Sequence, residues 1–277
     1  MCLVVAVTLT YRRHQLLRGT VSAIQAQSRP PDRVLVIDNG EEAVEALKDF
    51  ENVEILSTGE NVGPAGGYAF GFEAALARGA DKIWAVDDDT VPEPSCLAHL
   101  LDATDGLDTV VPLQRKPGFD QGFPPSWNGP LLDAEAVRRV GPPRSDLFFW
   151  AEDSEFFLRL ARAGVPRRSV PEAVVLHVNP EARRRGSQRD WRLYYEVRNG
   201  IWYRLRAQPV TFHRLARAAQ LAARPLLSIV FLEPGKRASL QLWTKAIADV
   251  AGNRLGKRVD PATWNQQGGP AKAVEGR

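Results

Sequence analysis

Short apolar runs alternate with helical patterns through the first third of the chain, and this alternation constrains the fold more than any other feature. Leu3–Val7 is a continuous, largely β-branched run, as expected of a strand covered on both faces. Leu16, Leu17, Val21 and Ile24 follow at helical spacing, and Pro30-Pro31 then breaks the chain. "RVLVIDNG" is a second strand closing in a turn, "EEAVEALKDF" a short amphipathic helix, and "VEIL" a third strand. "NVGPAGGYAFGFEAALARGA" is a Gly-rich loop feeding a helix that stops at Gly79, and "KIWAVDDD" is a fourth strand. Such alternation predicts an α/β fold with a mainly parallel sheet, right-handed crossovers and flanking helices. Ligands on these sheets gather at the C-terminal ends of strands, where Asp38 and Asp87-Asp88-Asp89 fall.

Residues 105–150 are rich in Pro and Gly and read as loops and short strands. "AEDSEFFLRLARAG" is a helix with a Gly164 stop, and "AVVLHV" is a late strand. From Asp190 onward the pattern is helical. The expected division is a catalytic domain at 1–189, a helical extension at 190–260 and a fraying tail at 261–277. The net charge of +3 over 277 residues argues against nucleic acid as a partner. The two cysteines, Cys2 and Cys96, sit in unrelated contexts, which fits a reducing, cytoplasmic compartment rather than a disulfide framework. "MCLVVAV" reads as a strand, and the later apolar run "PLLSIVFL" is too short to span a membrane.

The acidic tract carries the first chemical signal. One aspartate after a strand would be a turn or a helix cap. Three in a row repel one another and cost stability unless a cation sits among them. Carboxylate oxygens suit Mg²⁺ or Mn²⁺, commonly shared with substrate phosphates. Asp87 and Asp89 can reach one side together, leaving Asp88 turned away or bonding locally. Asn61, Gly63, Gly66 and Gly67 precede a helix, a setting that lets backbone N–H groups approach an anion. The competing account is a loop that needs positive φ angles. Asp38 is a simple Asp-Asn-Gly turn or a contact to a nucleoside, whose pocket Thr8, Thr10 and Arg13 could also line.

Asp153, beside Glu152 and Glu155, opens a helix flanked by aromatic residues. It is a helix cap or a carboxylate base. His177 closes the late strand; if that strand returns beside the aspartates, its imidazole could complete a metal site. Trp127 and Trp150 could serve a ligand or pack in the core, and Trp84 belongs in the core.

Taken in order, "VTLTYRR", "VIDNG", "NVGPAGGYAFG", "WAVDDD", "FFWAEDSEFFLRL" and "VVLHV" resemble the inverting glycosyltransferases of family 2, over about residues 3–205. The resemblance implies the A-type nucleotide-diphosphosugar transferase fold. It implies Mn²⁺ or Mg²⁺ held by Asp87, Asp89 and His177 against the donor diphosphate. It implies Asp153 as the base, with Glu152 as the alternative. Donor contacts would come from Thr8, Thr10, Arg13, Asp38, Asn61, Gly66, Gly67, Asp87 and Asp88, and acceptor contacts from Trp127 and Trp150. The triple aspartate and the "NVGPAGG" loop look most like galactofuranosyltransferases of actinobacterial cell-wall synthesis, with dTDP-rhamnose-dependent rhamnosyltransferases as the alternative. The implied partners are a nucleotide-sugar donor, favoured as UDP-galactofuranose, and a hydroxyl of a glycan or lipid-linked glycan acceptor.

Two other classes compete. A nucleotidyltransferase would need a Gly-rich signature with an activating lysine near its start, which the chain lacks. A sugar-binding or membrane-docking module would leave the acidic loops with structural roles alone. In the C-terminal stretch, "FHRLARAAQLAARPLLSIVFLEPGKR" fits a helix at an anionic membrane surface, on the inner face of the cell membrane. It fits equally a helical hairpin packed on the core, and its basic residues could also serve self-association.

Overall fold

The computed structural model describes residues 2–41, 43–178, 190–233 and 236–266. In chain order the elements are β1 (Val4–Thr10), α1 (His14–Gln25), β2 (Arg33–Asp38), α2 (Ala43–Ala46), β3 (Val53–Ser57), α3 (Gly63–Ala77) and β4 (Lys82–Val86). Then come β5 (Thr90–Pro92), α4 (Cys96–Ala103), β6 (Thr109–Lys116), β7 (Phe119–Gly122), β8 (Asn128–Asp133), α5 (Ala134–Val140), α6 (Glu152–Arg162) and β9 (Arg167–His177). The chain ends in α7 (Arg192–Leu205), α8 (Phe212–Leu232), α9 (Lys236–Ala251) and α10 (Pro261–Gln266).

The chain divides into two compact units, Met1–Ser145 with Asp153–Pro180, and Asp146–Glu152 with Glu181–Arg277. The boundary expected at 189/190 is therefore incomplete, because Asp146–Glu152 group with the C-terminal helices. Residues 261–266, expected in the fraying tail, form α10; the rest of that tail and Arg183, Arg184 and Arg185 lie outside the described residues.

The first unit is built on one sheet, ordered β3-β2-β1-β4-β8-β6-β9-β5 with β7 paired to β6. Strands β3, β2, β1 and β4 are parallel, as the strand–helix alternation predicts. The Pro- and Gly-rich middle section supplies β6, β7 and β8, whose pairings with one another and with β4 are antiparallel, so the sheet is mixed rather than mainly parallel. Every residue of β1 is buried. Its alternation sends Val5, Val7 and Leu9 to one face, with Tyr68 and Phe72 of α3 and Phe156 of α6. Val4 and Ala6 go to the other face, with Leu17, Val21 and Ile24 of α1, Leu97 of α4 and the fully buried Trp84.

The glycines of α3 set its distance from the sheet. A Cβ at Gly67 would lie 2.3 Å from Leu9 Cδ1, and one at Gly71 would lie 2.6 Å from Val7 Cγ1. The expectation that Gly66 and Gly67 lie in a loop before the helix is thus corrected. Both lie inside α3, and packing demands their lack of a side chain.

The second unit has its own core, in which Leu193, Tyr194, Val197 and Ile201 of α7 meet Ala218 and Ile229 of α8 and Leu242 and Ala246 of α9. The sequence reading of α8 also needs correction. The apolar run "PLLSIVFL" is only its end; the helix is 21 residues long, with mean hydropathy 1.4 in its most apolar window, enough by length and composition to cross a bilayer.

Candidate active site

The chain leaves β4 into Asp87-Asp88-Asp89, and each carboxylate meets a different environment. Asp88 is 2% exposed. Its Oδ2 accepts from Thr10 Oγ1 at 3.0 Å and its Oδ1 from Arg13 Nη1 at 2.6 Å. Arg13 Nη2 donates to Asp89 Oδ2 at 2.7 Å, so one guanidinium bridges two of the aspartates. Asp88 is therefore the aspartate that bonds locally, and Arg13 is the cation among them. Its own pKa is raised by Asp88 and Asp89 against the opposing effect of burial. Asp87 Oδ1 accepts from Tyr68 Oη at 2.9 Å, and the Asp87 N–H donates to the Trp127 carbonyl at 3.2 Å.

Among the described residues, this one arginine does not balance the tract. Burial and then Asp89 push Asp87 up to about 7. Burial pushes Asp88 up to about 8, although Arg13 pulls it down. Asp89 is lowered instead, because His177 and Arg13 together outweigh its burial. The late strand does return beside the tract: β5 pairs antiparallel with β9, Thr90 opposite His177, and the Val178 N–H donates to the Asp89 carbonyl at 2.8 Å. This brings His177 Nε2 to 3.4 Å from Asp89 Oδ1, a buried oxygen that makes no hydrogen bond among the described residues. On the far side, His177 Nδ1 lies 3.5 Å from Asn128 Nδ2, and Asn128 Oδ1 accepts from Thr90 Oγ1 at 2.8 Å.

Among the described residues no three His, Cys, Asp or Glu side chains already surround a cation position. The donor set nevertheless fits one. Asp87 and Asp89 offer oxygen and His177 offers nitrogen, which suits Mn²⁺ or Mg²⁺ when donor phosphates and water complete the shell. The unsatisfied Asp89 oxygen and the raised pKa of Asp87 mark a place short of positive charge.

Asp153 stands in the first turn of α6. Burial pushes its carboxyl up to about 6, against hydrogen bonds from Ser154. Its helix is tied to the acidic tract through rings. Tyr68 stacks on Trp127 at 4.8 Å, and Trp127 meets Phe156 at 5.5 Å and Phe157 at 6.1 Å. Trp127 is 3% exposed, so the suggestion that it stacks on an acceptor sugar is corrected: a buried ring offers no open face. Trp150 is 49% exposed and keeps one. Glu152 is buried and falls in the second unit, next in sequence to Asp153.

Several other expected contacts are occupied internally. Asp38 accepts from the N–H groups of Gly40 at 2.9 Å and Ala43 at 2.7 Å, so it shapes its own turn. Asn61 Oδ1 accepts from the Gly63 N–H at 2.9 Å, holding the entry to α3. Thr8 is fully buried, and its hydroxyl has no partner among the described residues. Sequence reasoning missed Tyr68 and Asn128. Neither stands in a charged motif, and only strand and helix placement brings them to Asp87 and His177.

Comparison with known proteins settles what this arrangement belongs to. Residues 5–158, more than half of the chain, match the profile described as glycosyl transferase family 2. The chain belongs to that family. It is therefore a glycosyltransferase, with the A-type fold expected from its sequence. This family 2 member is 32% identical over 212 residues to galactofuranosyltransferase GlfT1 of Mycolicibacterium smegmatis, a match covering 63% of this chain and 70% of the relative. It is 30% identical over 211 residues to galactofuranosyltransferase GlfT1 of Mycobacterium tuberculosis, covering 63% and 69%. Among solved structures, the mannosyltransferase PcManGT of Pyrobaculum calidifontis, in complex with GDP-Man and Mn²⁺, aligns with a TM-score of 0.59 at 16% identity, over 90% of this chain and 75% of that one. A structure of S. aureus TarS in complex with UDP aligns at 0.55 and 14%, over 90% and 82%. At these identities the structures speak for the fold alone.

Proposed function

We propose that the protein transfers galactofuranose from UDP-galactofuranose to a hydroxyl of a glycan acceptor, with inversion and with a divalent cation. The observation that carries the reading is the Asp89–His177 pair beside Asp87, whose buried Asp89 oxygen makes no hydrogen bond among the described residues at the exit of β4. The names of the relatives, identical to it at about a third of the aligned positions, support the choice of sugar. Mn²⁺ or Mg²⁺ held there supplies charge neutralisation for the departing nucleotide diphosphate.

The chain's own residues do the rest. Arg13 keeps Asp88 and Asp89 fixed. Tyr68 orients Asp87, and Asn128 backs His177. Asp153 takes the proton of the acceptor hydroxyl, and the raised pKa gives it more basicity than an ordinary aspartate. Attack opposite the leaving group needs no covalent sugar intermediate.

The test is donor turnover by the purified protein with Mn²⁺ or Mg²⁺, comparing UDP-galactofuranose with dTDP-rhamnose. Metal-dependent release of UDP from the first supports the reading. Turnover of dTDP-rhamnose alone would overturn the choice of sugar, and binding of neither nucleotide with metal present would overturn the donor site.

A further inference from the structure

Within the second unit, a cleft of about 350 Å³ opens between α7 and α8, lined by Arg204, Arg217, Gln220, Leu221, Arg224 and Pro225. Three guanidinium groups share this space, and none has a carboxylate partner among the described residues. Arg204 Nη1 donates to the Gly200 carbonyl at 2.9 Å and Arg217 Nη1 to Gln220 Oε1 at 3.1 Å, both neutral acceptors. Helix α8 carries no acidic residue at all. Burial and, more weakly, Arg217 depress the pKa of Arg204 against the opposing effect of Tyr203.

The outer face of the same helix is apolar. Phe212, Ala216, Ala219, Ala223, Leu227 and Val230 recur at spacings of three and four and form one stripe along its length. Phe212 is 88% exposed and Leu227 55%, with Phe231 at 75% beside them. Ala218 and Ile229 lie on the opposite face and are buried in the helical core. On the helical wheel Arg217 and Arg224 flank the stripe on one side.

We propose that the α7–α8 cleft binds the phosphate of an anionic membrane lipid while the apolar stripe of α8 lies in the bilayer surface. Guanidinium groups pair with phosphate through planar, two-pronged hydrogen bonds, so three around one cleft make an anion site. The stripe determines the source of the anion, since a free phosphate ion would leave it in water. A spanning helix would carry Arg217 and Arg224 into hydrocarbon, and α8 has one face already packed against α7 and α9. A two-fold contact with a second copy through the same face would bring like-charged arginines together. The inference is independent of the donor site and of the sugar it uses.

Flotation of the full-length protein with vesicles tests it. The vesicles are phosphatidylcholine alone, or phosphatidylcholine mixed equally with phosphatidylglycerol. The protein binds the anionic vesicles roughly a hundredfold more tightly, from about a factor of five for each arginine, and high salt reduces the difference. Arg204→Gln/Arg217→Gln/Arg224→Gln binds both vesicles alike, with an unchanged circular dichroism spectrum. If the triple variant fails to fold, Arg224→Gln alone loses about fivefold. Leu227→Asp weakens binding to both vesicles. Equal binding of the natural protein to the two vesicles overturns the proposal, as does full anionic preference in the folded triple variant. Thermal stabilisation by inorganic phosphate without vesicle binding assigns the cleft to a free anion and overturns the lipid. Resistance to alkaline extraction overturns the surface geometry in favour of a span, and concentration-dependent dimers lost in Leu227→Asp, without vesicle binding, overturn it in favour of a second copy.

Discussion

Asp89 Oδ1 faces His177 Nε2 across 3.4 Å, a meeting made by the antiparallel pairing of β5 with β9. A strand return that had placed Thr90 opposite Leu176 instead would have turned the imidazole to the other face of the sheet. Removing the divalent cation with a chelator should therefore abolish transfer, and Mn²⁺ should restore it. Asp89→Asn should lose nucleotide-diphosphate binding by about 100-fold or more, whereas Asn128→Ala, which loosens the backing of His177, should weaken metal affinity by about 10- to 100-fold. Calorimetric titration of metal with UDP measures both. Unchanged binding in Asp89→Asn would remove the metal assignment.

Arg13 gives a second prediction. It is one-third exposed, while the carboxylates it bridges have side chains 3% and 7% exposed. Breaking a buried pair by removing one partner costs about 3–5 kcal/mol, and the solvent around Arg13 reduces this to about 2 kcal/mol. Arg13→Ala should melt several degrees lower. Mn²⁺ with UDP should recover more stability in this variant than in the natural protein, because the added cation serves the carboxylates that lost theirs. Equal stabilisation of both proteins in a thermal melt would contradict this.

The third prediction concerns pH. Asp153 must be ionised to accept a proton, and burial raises its pKa to about 6. With the cation saturating, so that Asp87 stays ionised, kcat/KM should fall about tenfold per pH unit below that value, and above it the acidic limb should level off. Asp153→Asn should abolish transfer and leave donor binding intact, while Glu152→Gln should keep the limb near the same pH. A limb that stays in Asp153→Asn would assign the base elsewhere.

Gly67 separates packing from ligand approach. A Cβ there would strike Leu9, whereas one at Gly19 in α1 would meet nothing within 4 Å. Gly67→Ala should destabilise by about 1–3 kcal/mol, and Gly19→Ala should stabilise by about 0.5–1 kcal/mol. If the glycine serves packing, adding Leu9→Ala to Gly67→Ala should restore activity. A glycine needed for backbone approach to a phosphate would show no such rescue in the assay.

Strands β1 to β4 were legible because their β-branched runs end at turn residues, and the placing of Asp87–Asp89 at a strand exit followed directly. His177 could be suspected but not located, since register depends on which strands pair. Composition could not distinguish a glycine that meets a ligand from one that meets Leu9, so Gly66 and Gly67 were misplaced. Short strands were legible in the Pro- and Gly-rich stretch, but their place in the sheet was not, because β8 pairs with β4 and with β6 across long stretches of sequence. The loop before Asp153 was hidden for another reason. Phe148, Trp150 and Ala151 have φ of 62°, 74° and 71°, a backbone no propensity predicts for such residues.

That loop yields the last prediction. Asn199 is fully buried in α7, and its Nδ2 donates to the carbonyls of Leu147 at 2.8 Å, Phe149 at 2.7 Å and Trp150 at 3.1 Å. Beside it, fully buried Arg198 donates to the same Leu147 carbonyl at 3.0 Å and to Gly256 O at 2.7 Å. Positive φ at bulky residues costs about 1–3 kcal/mol each, and the amide holds the segment that bears it. Asn199→Ala should destabilise by about 2–4 kcal/mol, since the partly buried Phe149 and Trp150 carbonyls lose this donor while Leu147 keeps Arg198. Asn199→Asp keeps the shape but turns a carboxylate toward those carbonyls, so it should be no more stable than the alanine variant. Denaturant melts of both variants decide it: a loss under 1 kcal/mol in Asn199→Ala would mean that the second unit holds its loop without the amide.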